Sequence, residues 1–404
     1  MRFCVLRPVL FSWALIFASA HGAVSSLTDS DYAAFGQQLA VWLSTHDMAS
    51  IRASFDNFAL ADRVMQGMEL SQSDAIELRN TMLHGDLLRN FATIHRAHFL
   101  RVVQRQGGGR ALLRVHFARG IDYLEFICVR QPNGKPMWVD LYTYSAGDTL
   151  SSVMRAACLP IIAEGNKNIL ERLSGEESSY VKHLSEINRV APLYQANKFA
   201  EAAAVLKQLP PDLQTNRTVL MARLRVMKKV DDAEYLKVIE DWERAYPNDP
   251  ALAMIAIDAD ILRKDFSGAL RAVDTLDRLV GGDPYQDGVR ATIYLAEKNY
   301  PAAKLAAAKA LRADPTLTLP YDVLLDTSLA EENYNDTVKI LEDFAHIFPA
   351  ADMATAIGKS PEYAKFRLSS QYAEWIKRRS PAGRGAENKQ PQPVLSGPPA
   401  TPDK

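Results

Sequence analysis

Between residues 199 and 349 apolar side chains recur with the period of an α-helix, and the helical pattern itself recurs. Phe199, Tyr235, Phe266, Tyr300 and Tyr334 open five segments, 36, 31, 34 and 34 residues apart. Three positions on lies a small or β-branched residue: Ala202, Val238, Ala269, Ala303 and Thr337. Seven on stand Leu206, Trp242, Val273, Ala307 and Leu341, and ten on Leu209, Ala245, Leu276, Ala310 and Phe344. These offsets share one helical face. Proline follows at fifteen in three copies, Pro250, Pro315 and Pro349. Asp249-Pro250, Asp283-Pro284 and Asp314-Pro315 predict helix starts, a capping carboxylate before proline at the first helical position. Arg263-Lys264-Asp265, Glu297-Lys298-Asn299 and Glu331-Glu332-Asn333 predict short polar turns between paired helices. Such a unit cannot bury its apolar face alone, so neighbours must stack into a solenoid.

Upstream, Thr28, Ser30 and Asp31 predict the cap of a helix carrying Tyr32, Phe35, Leu39, Trp42 and Leu43, with two more helices before His98. The period then changes to alternation. Four strands are expected, at 97–105, 110–118, 121–130 and 136–144, with Asn133-Gly134 as a two-residue hairpin turn. In that register Leu113, Val115 and Phe117 share a face with Leu124, Phe126, Cys128, Met137, Val139 and Leu141. The opposite face collects Arg114, His116, Tyr123, Glu125, Trp138, Asp140, Tyr142 and Tyr144. The expected architecture is an α+β N-terminal domain, helices on a four-stranded antiparallel meander, followed by an all-α repeat array. The expected boundaries are a signal peptide at 1–20, the α+β domain at 24–174, the array at 178–349, a capping helix at 350–379 and a disordered tail at 380–404.

The repeat ladder resembles the tetratricopeptide repeat, a helix–turn–helix unit of 34 residues, over about 180–350. In that family the first helix of each pair lines a concave groove. The resemblance therefore implies a lining that includes Ile187, Arg223, Met227, Met254, Asp258, Thr292, Asp322 and Asp326, acidic toward its end and suited to a partner segment with basic residues. The order of elements over 28–160 is similar to the cone-shaped fold of ketosteroid isomerases, scytalone dehydratases and nuclear transport factor two, which implies a pocket between sheet and helices.

Residues 1–20 read as a secretory signal: Arg2 and Arg7, the apolar run Val9–Phe17, then Ala18-Ser19-Ala20 as a cleavage site. The mature chain is thus expected to be periplasmic or secreted, with cleavage near Ala20 and no membrane insertion. A net charge of −1 gives no basic footprint for nucleic acid. Cys4 leaves with the signal; Cys128 and Cys158 remain, either bonded to each other or as two buried thiols. The sequence contains no Gly-x-Ser-x-Gly, P-loop, dinucleotide fingerprint or His-Glu-x-x-His. No cofactor or metal is expected, since His95 and His98 lack an evident third ligand. Asp140 beside Trp138, Tyr142 and Tyr144, with His116 and Tyr123, is either a ligand pocket with a general base or a hydrogen-bonded interface patch. The first reading of function is a non-enzymatic exported adaptor that binds a protein through its repeat groove. The alternatives are ligand binding or isomerase- or dehydratase-like activity in the N-terminal domain, and self-association through the array.

Overall fold

The computed structural model describes residues 27–379, apart from 69, 85–87, 106, 119, 166–172, 174, 248 and 350–352. The expected signal (1–20) and tail (380–404) lie outside the described residues. The chain divides into two compact units, Met1–Tyr142 and Thr143–Lys404.

The first unit begins with α1 (Asp29–Ser44), α2 (Met48–Ala53), α3 (Asn57–Met65) and α4 (Gln72–His84), followed by a 3-10 turn at Arg89–Thr93. Thr28 and Asp31 cap α1 reciprocally: the Thr28 hydroxyl accepts from Asp31 N–H, and the Asp31 carboxylate accepts from Thr28 N–H. Strands β1 (Arg96–Arg105), β2 (Gly108–His116), β3 (Ile121–Arg130) and β4 (Pro136–Thr143) follow in chain order. A fifth strand, β5 (Asp148–Thr149), completes the antiparallel sheet. Four strands were expected; β5 spans two residues, too few for alternation to reveal.

Pairing of β2 with β3 sets Leu113 opposite Leu124, Ala111 opposite Phe126, Arg114 opposite Tyr123 and Leu112 opposite Glu125, as expected. α1 lies on the Leu113–Phe126 face. A Cβ on Gly36 would come within 2.5 Å of the Phe99 ring and 2.9 Å of the Ala111 methyl, so only glycine admits this approach.

β4 departs from expectation. Gly134 N–H donates to Gln131 C=O (2.8 Å) and Gln131 N–H to Lys135 C=O (2.9 Å), with Gly134 at φ +82°. This is a three-residue loop, Pro132-Asn133-Gly134, with glycine in the left-handed position, and not a two-residue Asn-Gly turn. The extra residue shifts the register by one, and such a shift moves every side chain of a strand to the other face. Trp138 accordingly meets Phe126 edge-on (centroids 5.5 Å) and stacks on Phe55 (4.0 Å). Period two carries Asp140 and Tyr142 to the same side, and Met137, Val139 and Leu141 to the other.

The second unit holds α5 (Leu150–Gly165), α6 (Gly175–Lys182), α7 (Leu184–Gln195), α8 (Phe199–Lys207) and α9 (Pro211–Gln214). It continues with α10 (Arg217–Met227), α11 (Asp232–Ala245), α12 (Pro250–Leu262), α13 (Phe266–Val280) and α14 (Tyr285–Ala296). α15 (Tyr300–Ala313), α16 (Leu319–Ala330), α17 (Tyr334–Ile347), α18 (Met353–Lys359), α19 (Ala364–Arg367) and α20 (Ser370–Arg379) complete it. Five hairpins succeed one another, α7/α8, α10/α11, α12/α13, α14/α15 and α16/α17, each packed on the next.

The second helices of these hairpins start at 199, 232, 266, 300 and 334, so successive starts differ by 33, 34, 34 and 34. The repeat is therefore more regular than its aromatics suggest. Tyr235 lies three residues inside α11 and does not open it. Counting three, seven and ten from Asp232 gives Tyr235, Ile239 and Trp242, each at most 4% exposed, whereas Ala245 points outward. Elsewhere the ladder is core: Ala202, Leu206, Ala269, Val273, Ala303, Ala307, Ala310, Thr337 and Leu341 are all fully buried.

Four of the five hairpin turns, all but that between α10 and α11, share one backbone device. Lys264, Lys298 and Glu332, 34 residues apart, have φ of +58°, +64° and +53°, and Asn197 has +57°. The following N–H reaches back to the helix: Asp265 to Asp260 C=O (2.8 Å), Asn299 to Tyr294 (2.8 Å), Asn333 to Ser328 (2.9 Å) and Lys198 to Leu193 (2.9 Å). The Asp265, Asn299 and Asn333 side chains then cap the next helix by accepting from Gly268, Ala302 and Asp336 N–H.

Two expected helix starts move. Asp249-Pro250 opens α12 as expected. Asp314 instead ends α15 and accepts from Thr316 N–H (3.1 Å), so α16 begins at Leu319. Asp283 accepts from Tyr285 N–H (3.1 Å), one residue ahead of α14's own cap, Pro284. The expected capping helix over 350–379 is three short helices with a 3-10 turn at Pro361–Tyr363. Proline stops the first of them, and the Ser369 hydroxyl caps α20 by accepting from Tyr372 N–H (3.1 Å).

A left-handed non-glycine residue costs about 1–2 kcal/mol, and glycine returns about 0.4–1 of that through the unfolded chain. Lys298→Gly is expected to stabilise the helical unit by about 0.5 kcal/mol net in urea unfolding. A loss of stability would show that the Lys298 side chain contributes more than its backbone strain costs.

Candidate docking surface

The eight residues implied as groove lining all fall on first helices of hairpins, but not in equivalent environments. Arg223 of α10 is 8% exposed; its guanidinium pairs with Asp241 of α11 (2.7 Å) and donates to Gln214 C=O (2.6 Å). Met227 is 1% exposed, within the core that Leu220, Leu224 and Tyr235 share. Neither side chain offers surface to a partner. Ile187 packs partly buried on that core, and Met254 is half-buried. The half-buried Thr292 donates its hydroxyl to Gly288 C=O (3.1 Å), one turn back.

Asp258, Asp322 and Asp326 are exposed. Asp258 pairs with Lys228 (2.5 Å), whose ammonium lies 5.6 Å from the Tyr235 ring centroid. Asp322 and Asp326 stand one turn apart on α16. Both carboxylates reach solvent, yet protein crowds them enough to disfavour their charge. Burial, with Asp326 nearby, pushes Asp322 up to about 6. Burial and Glu362 raise Asp326. Tyr363 faces the same cluster: burial first, then Asp326, Asp322 and Glu362, push its phenol up to about 12. The first helix of the last hairpin and the turn after α18 thus build one acidic concentration of three carboxylates and a phenol.

On the far side of α16 lies a cleft of about 410 Å³. Leu311, Tyr321, Leu324 and Ile340 line it, with Arg312, Asp343 and His346 as its charged and titratable side chains. Positions 321 and 324 lie roughly 100–160° around an α-helix from 322 and 326, so cleft and acidic face are separate features.

The six candidate residues of the N-terminal domain do not form one constellation. His116 and Tyr123 lie on the sheet face of Arg114 and Glu125. Trp138, Asp140 and Tyr142 lie on the Phe126 face, because of the three-residue turn. Tyr144 falls in the second unit. Asp140 is 1% exposed and accepts from its neighbour Leu141 N–H (2.8 Å). Sequence reading missed the ion cluster across the other face: fully buried Glu125 pairs with Arg105 (2.5 Å) and Arg110 (3.1 Å). Their registers, Val103 opposite Arg110 and Leu112 opposite Glu125, follow only from the paired strands.

Cys128 and Cys158 are both free and buried, so the disulfide alternative is corrected. Each thiol is raised by burial, Cys128 the more strongly. Among the described residues no group of three His, Cys, Asp or Glu side chains is placed to hold a metal ion. No described helix is long and apolar enough to cross a membrane. Comparison with protein-family models and with curated proteins finds no match.

In a chain that begins after Ala20, a thiol reagent is expected to find no reactive cysteine in the native protein and two after denaturation. Rapid native labelling at either position would contradict the burial.

Proposed function

We propose that this chain is an exported, non-enzymatic adaptor of tetratricopeptide type that binds a cationic segment of another protein on its helical array. The observation that carries the reading is the acidic face of α16. Asp322 and Asp326 remain exposed although their charge is disfavoured there, and a cationic side chain would relieve that cost. The 34-residue recurrence of hairpin starts and left-handed turns supports the family resemblance. Export to the periplasm rests on the signal-like first twenty residues. No catalytic constellation supports the enzymatic alternative, since its six residues are divided between faces and units.

The sign of the pH dependence follows from the raised carboxyl of Asp322. An acid raised on folding favours the folded state once protonated, and its ionised form costs stability above about pH 6. A cationic partner needs the ionised form, so binding should weaken as pH falls through 6. The test is recovery of partner from envelope extract by the full mature chain at pH 7.5 and 5.5, beside Asp322→Lys/Asp326→Lys. Recovery should fall at the lower pH and vanish in the double variant while its helical circular dichroism is unchanged. Equal recovery by the double variant would remove this face from the function.

A further inference from the structure

Residues 144–149 leave β4 and run against the second hairpin of the helical unit, where an unusual set of groups meets them. Gly147 has φ +61°, and a Cβ there would sit 2.3 Å from Trp242 Cζ2 and 3.3 Å from the Ala251 methyl. The backbone therefore lies directly on the indole, with no space for a side chain. Trp242 is fully buried, and its Nε1–H donates to the Asp249 carboxylate (3.2 Å). Arg217, the first residue of α10, closes the arrangement. Its guanidinium donates to both Gly147 C=O and the Asp249 carboxylate, and its Cζ lies 3.9 Å from the Tyr246 ring centroid. Tyr246 is held by its hydroxyl, which donates to Thr215 C=O (3.0 Å). Asn216, beside Arg217, donates to Glu176 of α6 (2.7 Å). These groups come from four parts of the chain: the 144–149 segment, α6, the α9–α10 junction and the α11–α12 junction.

We propose that Tyr144–Thr149 is a strap clasped by Arg217 onto the second hairpin, closing the N-terminal end of the helical unit, and that Asp148 sets how tightly the clasp holds. One guanidinium faces two carboxylates, those of Asp148 and Asp249. Asp249 takes the direct ion pair and the indole N–H, and it caps α12 through Ala251 N–H (3.0 Å). Asp148 is half-buried beside them and accepts from Thr149 N–H (2.8 Å). Burial raises its carboxyl; the Thr149 bond, Arg217 and a hydrogen bond with the Ser152 side chain oppose that rise, and Asp249 adds to it. The titratable and charged neighbours are Arg217, Asp249, Tyr246 and Glu176. Asp249 disfavours a further negative charge on Asp148, and Arg217 favours it together with the Thr149 N–H and the Ser152 side chain.

A carboxyl raised on folding favours the closed strap when protonated, so the clasp tightens as pH falls and slackens as pH rises through the raised value. Replacing Asp148 by a neutral isostere keeps the backbone contacts and removes the charge that opposes closure. Removing Arg217 has the opposite effect. Gly147 C=O loses its donor and Asp249 loses its cation, and an orphaned buried acceptor or charge is costly.

The test is hydrogen exchange by mass spectrometry on the full chain, corrected for the intrinsic pH dependence of amide exchange, following the peptide that spans 143–152. In the wild type this peptide should be protected, more at pH 5 than at pH 8. Asp148→Asn should be protected equally at both. Arg217→Ala should exchange at least about tenfold faster, the rate equivalent of one lost charged hydrogen bond, while α14–α17 keep wild-type protection. Arg217→Lys retains the charge without the fork and should fall between the two. If Arg217→Ala unfolds the helical unit, the ordering of wild type, Asp148→Asn and Arg217→Lys still decides. Strap exchange at the intrinsic rate in the wild type would overturn the proposal. So would wild-type protection in both Arg217 variants, or an unchanged pH dependence in Asp148→Asn. The inference does not use the acidic face of α16 and stands or falls apart from the adaptor reading.

Discussion

The helical unit depends on one backbone constraint, a single residue held left-handed between the two helices of a hairpin. At Asn197, Lys264, Lys298 and Glu332 the chain reverses within three residues, and a C-terminal carbonyl of the first helix receives the N–H beyond the turn. The reversal is tight enough to bring the faces of two helices into contact from their first turn. That contact explains the small residues. Ala303 and Ala307 line one face of α15 and are fully buried with Ala291 and Val323. Larger side chains at these positions would hold the helices apart, and the short turn could not accommodate the separation. Only Asn197 among the four belongs to a residue type that tolerates the left-handed region well, so at the other three the bonds and the following cap must outweigh roughly 1–2 kcal/mol of strain each.

Between hairpins the joints are not uniform. Arg290 of α14 reaches Asp274 (2.8 Å) and Asp277 (2.9 Å) of α13, with Asp287 of its own helix (2.9 Å), and Lys309 of α15 reaches the same Asp287 (3.0 Å). Desolvation works against the Arg290 charge, and the surrounding carboxylates more than compensate. The following joint is apolar: Ala303 and Ala307 of α15 are buried together with Val323 of α16. A charge-assisted ion network is directional, whereas apolar burial is not. Hairpins joined in such different ways need not share one crossing geometry, although their turns are nearly identical.

The repeat was legible because its period, its polar turns and its buried ladder are all local signals. Its one misalignment, at Tyr235, arose because the buried aromatic at the fourth position of α11 and the half-buried aromatics at the first position elsewhere are the same residue types, and composition alone cannot distinguish them. The sheet was legible as far as strand order and the faces of β2 and β3. It failed at β4 for an identifiable reason: Pro132 placed before Asn133-Gly134 lengthens the loop by one residue, and period two turns one residue into the opposite face. Every pairing that spans the chain was invisible, including Glu125 with its two arginines and Arg217 with Gly147, 70 residues away. No spacing rule links residues whose proximity is decided by how strands and helices close on one another.

Asp148 and Asp322 show how little a raised carboxyl means by itself. Both are raised chiefly by burial, but Asp148 sits beside a guanidinium already engaged with the backbone and with Asp249. Its ionisation is opposed from inside the fold, and the consequence is confined to the strap. Asp322 faces outward with Asp326 and Glu362, and water still reaches it. Nothing in the packing of α16 requires a carboxylate there, because its buried side carries Val323, Leu325, Thr327 and Ser328. A neutral polar residue would serve the helix as well and would avoid the repulsion. Two acids held at a cost on a surface that the core does not need are better explained by what they attract than by what they stabilise.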